Sequence, residues 1–274
     1  MIMKRLVLSL AVLVFALSAC TQELVILHLN DTHSHIDPIR SGKNVGMGGV
    51  VEQALYIDEV RAEKGKKNVL LLHAGDFSQG TSYFTEMHGD LEVDVMNAFD
   101  YDATCLGNHE FDNGIDELSR RLSNLKVPVV CANYDFSASP LAPYVQPYVV
   151  VKKAGLKIGI IGLLTDLTEV VNGDIAKIMK YQEPVEVTNH YAKILKEDKK
   201  CDLVICLTHL GYEDEPYTDV MLAPLTKDVD IIVGGHSHTH LDKETRVKNL
   251  DGKDVIIVTD WKWGLNVGKL TVEL

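Results

Sequence analysis

The sequence predicts an α/β protein in which two packed mixed β-sheets are flanked by helices. Three observations carry that expectation. From Glu23 onward, apolar runs of strand length alternate with longer amphipathic stretches. Five of those runs stop at a polar cluster, as strands do when they turn at the edge of a sheet. After Pro147, two runs are joined by a tight Ala154-Gly155 turn, the mark of an antiparallel pair. Mixed pairing of this kind fits two sheets covered by helices better than a single doubly wound sheet.

The elements follow in order. Residues 24–29 read as a buried strand ending at Asn30-Asp31, and Gly46, Gly48 and Gly49 open a helix over about 50–64. The next strand, 69–73, ends at Gly75-Asp76. A helix over about 92–99 leads to a strand at 103–106, which stops at Gly107-Asn108-His109. Residues 115–124 are helical and 127–132 extended. The hairpin pairs 148–152 with 156–164. A helix over 185–197 precedes the strand 203–207, which ends at Thr208-His209, and the strand 231–233, which ends at Gly234-Gly235-His236. Strands over 255–259 and 265–274 complete the chain. No Pro/Gly/Ser-rich linker or internal repeat divides it, so one domain is expected from residue 20 to 274.

The N-terminus reads differently. Lys4 and Arg5 precede an apolar stretch, 6–17, too short to span a bilayer as a helix. A basic start, a short apolar core and small residues before a cut site describe a signal peptide over 1–19. Leu17-Ser18-Ala19-Cys20 resembles a bacterial lipobox, which implies acylation of Cys20 and a lipid anchor to a membrane of the cell envelope, on its periplasmic or surface face. Thr21 in place of an aspartate favours onward sorting to an outer membrane. An ordinary signal peptide with a chance cysteine is the plainer alternative. The other cysteines, Cys105, Cys131, Cys201 and Cys206, sit in or beside apolar runs and read as core thiols.

Charge narrows the partners. The chain carries −12, and losing Lys4 and Arg5 with the signal peptide makes it more negative by two. A body this acidic is a poor partner for nucleic acid polymers, whose phosphates need a basic face. A small phosphate ester remains compatible if metal ions supply local positive charge.

The strand ends carry the chemistry. Asp31-Thr32-His33 puts two metal-binding side chains two residues apart, although aspartate there also suits a turn or helix cap. Asp76 could offer one oxygen to each of two metals. Asn108 can ligate through its amide oxygen without adding charge, and the glycine before it lets the backbone turn sharply. His209 alone suits a ligand or a buried core histidine. His236 and His238 on one short turn suit a metal. His35 and His240 flank the cluster as ligand-tuning groups or turn residues, His73 packs beside Asp76, and His28, His88 and His190 are structural. Trp261 and Trp263 favour packing over a substrate rim.

Leu29-Asn30-Asp31-Thr32-His33, Gly75-Asp76, Gly107-Asn108-His109-Glu110-Phe111-Asp112, His209 and Ile231-Ile232-Val233-Gly234-Gly235-His236-Ser237-His238 together resemble the calcineurin-like metallophosphoesterases. Within them they are most similar to the catalytic domain of secreted 5′-nucleotidases and 2′,3′-cyclic phosphodiesterases. The resemblance implies a four-layer α/β/β/α sandwich and a centre of two divalent metal ions, manganese, zinc, iron or cobalt. It assigns Asp31, His33, Asp76 and His238 to one metal, and Asp76, Asn108, His209 and His236 to the other. It also implies hydrolysis by a metal-bridging hydroxide, with His109 approaching the phosphoryl oxygens or leaving group and Asp112 orienting its ring.

The substrate the resemblance implies is a small phosphoester, a nucleotide above all. Cyclic phosphodiesters, pyrophosphates and sulfur–sulfur linkages are the enzymatic alternatives, and a non-catalytic lipoprotein binding metal or nucleotide is the other. Two departures from the family stand out. Val50-Val51-Glu52 follow the glycine pair where the family has an arginine, and the family's second domain, with its base-stacking aromatics and phosphate-clamping arginines, would begin where these residues end. A separate substrate-binding polypeptide, or simpler phosphoesters, would follow from the second.

Overall fold

The computed structural model describes residues 23–168, 179–213 and 217–273, so the expected signal peptide and Cys20 lie outside the described residues. The first strands and helices are β1 (Glu23–Leu29), α1 (Val50–Lys64), β2 (Val69–His73), α2 (Ser82–Met87), α3 (Asp90–Phe99), β3 (Ala103–Cys105), α4 (Ile115–Asn124), β4 (Val129–Val130), β5 (Tyr134–Asp135) and β6 (Val145–Gln146). The strands that follow are β7 (Tyr148–Lys153), β8 (Leu156–Leu164), β9 (Lys180–Tyr181), β10 (Leu203–His209), β11 (Ile231–Val233), β12 (Thr245–Lys248), β13 (Asp254–Val258) and β14 (Gly268–Glu273).

They form two six-stranded sheets. The first has the order β14-β1-β2-β3-β4-β6, parallel throughout except for β14, which pairs antiparallel with β1. The second has the order β12-β13-β11-β10-β8-β7, with a parallel centre and antiparallel edges at β12 and β7. A short antiparallel ribbon, β5 with β9, stands apart.

The sheets pack face to face. On β1, Leu24 and Ile26 enter the layer between them, while Val25, Leu27 and Leu29 face outward against Ile57 and Val60 of α1 and Met96 of α3. On β10, Ile205 and Leu207 point inward, and Val204 and Cys206 pack outward with Ala192 and Leu195 beneath the helix Pro184–Lys193. Both faces of these strands are buried, which is why they read as continuous apolar runs and not as alternating ones. The expected four-layer α/β/β/α sandwich is what forms. Cys105, Cys131, Cys201 and Cys206 are all free and buried.

The hairpin turn is as expected, with Ala154 at φ 51° and Gly155 at φ 77°, the paired left-handed residues of a two-residue turn. Several boundaries move. The strand expected over 127–132 pairs only at Val129–Val130, and the last strand begins at Gly268 because a turn through Trp261 and Trp263, both at positive φ, occupies the residues before it. The helix expected over 185–197 starts at Pro184 and loosens into a π segment, Ile194–Asp198. Helix α2 and strands β5, β6, β9 and β12 lacked a readable periodicity. Each is short, and β12 alternates half-buried with exposed residues at a sheet edge.

Candidate metal centre

All five polar clusters lie at the C-terminal ends of parallel strands, β1, β2 and β3 from one sheet and β10 and β11 from the other. Each sheet thus contributes half of one crevice at its carboxyl rim, where such sheets bind ligands. Asp31, His33, Asp76, Asn108 and His209 are buried there, and His236 and His238 are partly exposed.

Three trios of ligand atoms form among the described residues, two of them made of the expected ligands alone and the third joining His109 to His33 and Asp76. Asp31, His33 and His238 each offer an atom within 4.8 Å of the others, and so do Asp76, His209 and His236. The two sets touch: His33 Nε2 is 3.8 Å from Asp31 Oδ1 and 3.9 Å from Asp76 Oδ2, while His209 Nε2 is 3.0 Å from Asp76 Oδ2 and 3.9 Å from Asp31 Oδ1. Asp76 Oδ2 lies toward both sets, while its Oδ1 accepts the backbone N–H of His109 at 2.9 Å.

The rest of each side chain is tied down so that one atom is left over. Asp31 Oδ2 accepts from Asn30 Nδ2 at 2.7 Å and from the N–H of His236 at 2.9 Å, while Oδ1 has no hydrogen-bond partner. His209 Nδ1 donates to the carbonyl of Ala74 at 2.7 Å, which fixes the ring and turns Nε2, also without a hydrogen-bond partner, toward Asp76. Asn108 Oδ1 is buried and unpartnered as well. Buried polar atoms are ordinarily paired. Carboxylate, amide and imidazole acceptors left unpaired in one place are the donor set of borderline divalent cations, so these residues fit the expected metals.

Backbone conformation gives an independent sign. Asp31, His33, Asp76, His236 and His238 have φ of 50°, 48°, 55°, 81° and 52°. Side chains adopt this left-handed region rarely and at a cost, and such residues gather at functional sites. The glycines serve the same packing. Gly107 does not have positive φ, but a Cβ there would lie 2.1 Å from Asp76 Oδ1. It is glycine because the Asp76 carboxylate needs the space.

Electrostatics are strongly coupled. Burial pushes the Asp76 carboxyl up, but the neighbouring His209 charge outweighs it and holds the group well below the usual carboxylate range. Burial lowers His209, yet Asp76 and Asp31 carry it to about 10. His236 is pushed down to about 4 and His73 to about 3, chiefly by burial, which keeps both neutral.

His109 stands at the open side, with a third of its side chain exposed. Its Nδ1 lies 2.8 Å from Asp112 Oδ2, and that hydrogen bond first, then the charge of Asp76, raises it to about 9 against the opposing burial. A His109 ring nitrogen also comes within 4.8 Å of ligand atoms of His33 and Asp76, close enough to touch whatever those residues hold. Lys262 Nζ, 3.3 Å from His238 Nδ1, brings a second cation to the mouth. His35 Nδ1 lies 2.9 Å from the His33 carbonyl, and His240 pairs with Asp260 in an antiparallel bridge. The two imidazoles stack on Trp263 and Trp261 at 4.8 and 5.4 Å, which supports the packing role of the tryptophans.

Glu110 was quoted in the motif without a role, and it has a clear one. Fully buried, it accepts the N–H groups of Asp76 (2.9 Å), Ser78 (3.0 Å) and Gly107 (2.7 Å), joining the β2 and β3 loops. Beneath it the fully buried Arg121 of α4 donates to Ser78 Oγ and to the Glu110 carbonyl, both at 2.5 Å. The only sequence signal for Glu110 was its place in a turn whose N–H groups needed an acceptor.

Comparison with known proteins agrees. The family model described as calcineurin-like phosphoesterase matches residues 24–240. A snake venom 5′-nucleotidase from Naja atra is 36% identical over 276 residues, spanning 91% of this chain and 50% of the relative. A probable 5′-nucleotidase from Treponema pallidum is 32% identical over 272 residues, 91% of this chain and 45% of the relative. The crystal structure of a 5′-nucleotidase precursor from Thermus thermophilus superposes with a TM-score of 0.84 at 37% identity, covering 92% of this chain and 51% of that one. The chain thus spans about half the length of the curated relatives it matches. With its two-sheet fold, its strand-end ligands and this match, the chain belongs to the calcineurin-like phosphoesterase family.

Proposed function

We propose that this protein hydrolyses small phosphomonoesters, nucleotides above all, at a centre of two divalent cations. One observation carries the reading: two trios of ligating side chains, each drawn from both sheets, meet at the Oδ2 atom of Asp76. Asp31, His33, Asp76 and His238 would hold one cation, and Asp76, Asn108, His209 and His236 the other. When bound, such a pair supplies an activated water and neutralises charge on the phosphoryl oxygens. His109, protonated at neutral pH, gives its proton to the departing oxygen, and Asp112 holds the ring for that transfer. Lys262 adds positive charge where an otherwise acidic protein must accept an anion. That the relatives are 5′-nucleotidases supports nucleotides as the substrate class.

The test is phosphate release by the purified protein from 5′-AMP and from a simple aryl phosphate, with Mn²⁺ against EDTA. Metal-dependent release from 5′-AMP, abolished by EDTA, is expected. Release that survives EDTA treatment would sink the metal centre. Release from the aryl phosphate alone would keep the metal chemistry and remove nucleotides as the substrate, pointing to base recognition by a separate polypeptide.

We infer further that the chain is exported and acylated at Cys20, a reading supported by the lipobox-like Leu17-Ser18-Ala19-Cys20. In a bacterial host fed an alkyne fatty acid, the full chain should carry the label and fractionate with membranes. Cys20→Ala should abolish both, and a labelled Cys20→Ala protein would overturn the assignment.

A further inference from the structure

Behind the metal centre, between α1, α3 and the turn that follows β1, lies a cavity of about 20 Å³. Its apolar walls include Val95, Met96 and Phe99 of α3. A cavity of that size holds one water. Three residues that line it carry four polar atoms with no hydrogen-bond partner in the protein: both carboxylate oxygens of Glu92, the hydroxyl of Ser34 and Nδ1 of His73. All three residues are almost wholly buried, with Glu92 at 3%, Ser34 at 2% and His73 at 0% exposure.

A buried carboxylate without a partner is among the most unfavourable groups a core can contain. Glu92 sits on the inward face of α3 among apolar neighbours, where leucine would fit the helix at least as well. What sets its place apart is the other side of the cavity. His73 is the last residue of β2, and its Nε2 lies 3.2 Å from Thr32 Oγ1. Thr32 stands between the ligands Asp31 and His33, and Ser34 follows His33. Thr32 and Ser34 therefore reach toward the cavity from the strained turn on which Asp31, His33 and Ser34 all have positive φ.

We propose that Glu92 is a positioning residue for the metal centre: through one water held in this cavity it braces His73 and Ser34, and so the turn that presents Asp31 and His33. With hydrogen on His73 Nδ1, the imidazole donates to the water and accepts from Thr32 at Nε2. The water also accepts from the Ser34 hydroxyl and donates its two hydrogens to the two Glu92 oxygens. Every unpartnered atom is then satisfied, and the turn is held from below while its ligands face the cations above. The inference rests on the metal-centre reading.

Glu92→Leu and Glu92→Gln separate this role from a structural one. The readouts are Mn²⁺ affinity by calorimetric titration of metal-stripped protein, and the thermal midpoint. Glu92→Leu removes the buried carboxylate and fills the cavity, so its midpoint should equal or exceed that of wild type. Its Mn²⁺ affinity should nevertheless fall 10–100-fold, as when other groups that orient metal ligands are lost. Glu92→Gln, which still accepts from the water, should recover most of that affinity. An affinity within twofold of wild type in Glu92→Leu overturns the proposal, and so does a loss of affinity that comes with an equal fall in thermal midpoint. Wild-type protein that takes up no Mn²⁺ would sink the metal centre itself and this inference with it, a failure recognisable before any variant is made.

Discussion

His109→Ala is expected to lower turnover of 5′-AMP by 10²–10⁴-fold, the range typical of a lost general acid, while Mn²⁺ uptake stays at the wild-type stoichiometry. The physical basis is a division of labour within one motif. Asn108 is buried with an unpartnered amide oxygen, whereas the next residue, His109, is one-third exposed and has its Nδ1 committed to Asp112 at 2.8 Å. That hydrogen bond is the largest cause of its upward shift to about 9, to which the charge of Asp76 adds. At neutral pH the ring therefore carries the proton that a departing alkoxide needs. Asp112→Asn should keep the fold and lose part of the same activity, because the ring then lacks the charge that keeps it protonated. Metal analysis beside steady-state rates decides the matter. If His109→Ala loses one equivalent of Mn²⁺, its proximity to His33 and Asp76 is that of a ligand and the acid role falls. If it turns over 5′-AMP at the wild-type rate, His109 has no part in the chemistry.

The contrast between Asn108 and His109 also shows what sequence could and could not resolve. Strand-end placement was legible because buried parallel strands announce themselves as apolar runs, and the polar residues that break them must lie at the rim. Leu24 to Leu29 followed by Asp31, and Ile231 to Val233 followed by His236, needed no more than that. Which atom of each side chain remains available was not legible, since it depends on partners far away in sequence. Asp31 Oδ2 is occupied by the N–H of His236, 205 residues on, and His209 Nδ1 by the carbonyl of Ala74, 135 residues back. The space that Gly107 leaves was hidden in the same way. Its neighbour in space, the Asp76 carboxylate, leaves no mark on the local sequence. Short edge elements such as β12 and the β5–β9 ribbon were missed because two to four residues are too few for a period to show.

Glu110→Ala should be the most destabilising single change near the site, and it should act on fold and function together. Three backbone N–H groups, those of Asp76, Ser78 and Gly107, end on this one carboxylate, in a place where water has no access. An orphaned buried donor costs about 1–3 kcal/mol, so three of them come to several kcal/mol, a large share of the roughly 5–15 kcal/mol by which domains are stable. The loss also reaches the ligands, because Glu110 sets the distance between the loop carrying Asp76 and the loop carrying Asn108. Arg121 cannot substitute, since its guanidinium carries only donors and the freed N–H groups need an acceptor. Glu110→Gln keeps one oxygen, enough to serve Asp76 and Gly107, which share Oε2, but turns an amide N–H₂ toward the N–H of Ser78. It should therefore fall between wild type and alanine. Urea denaturation of the three proteins orders them. An alanine variant within about 0.5 kcal/mol of wild type, the span of an ordinary surface substitution, would mean that the two loops are held together by the trios and the sheet alone.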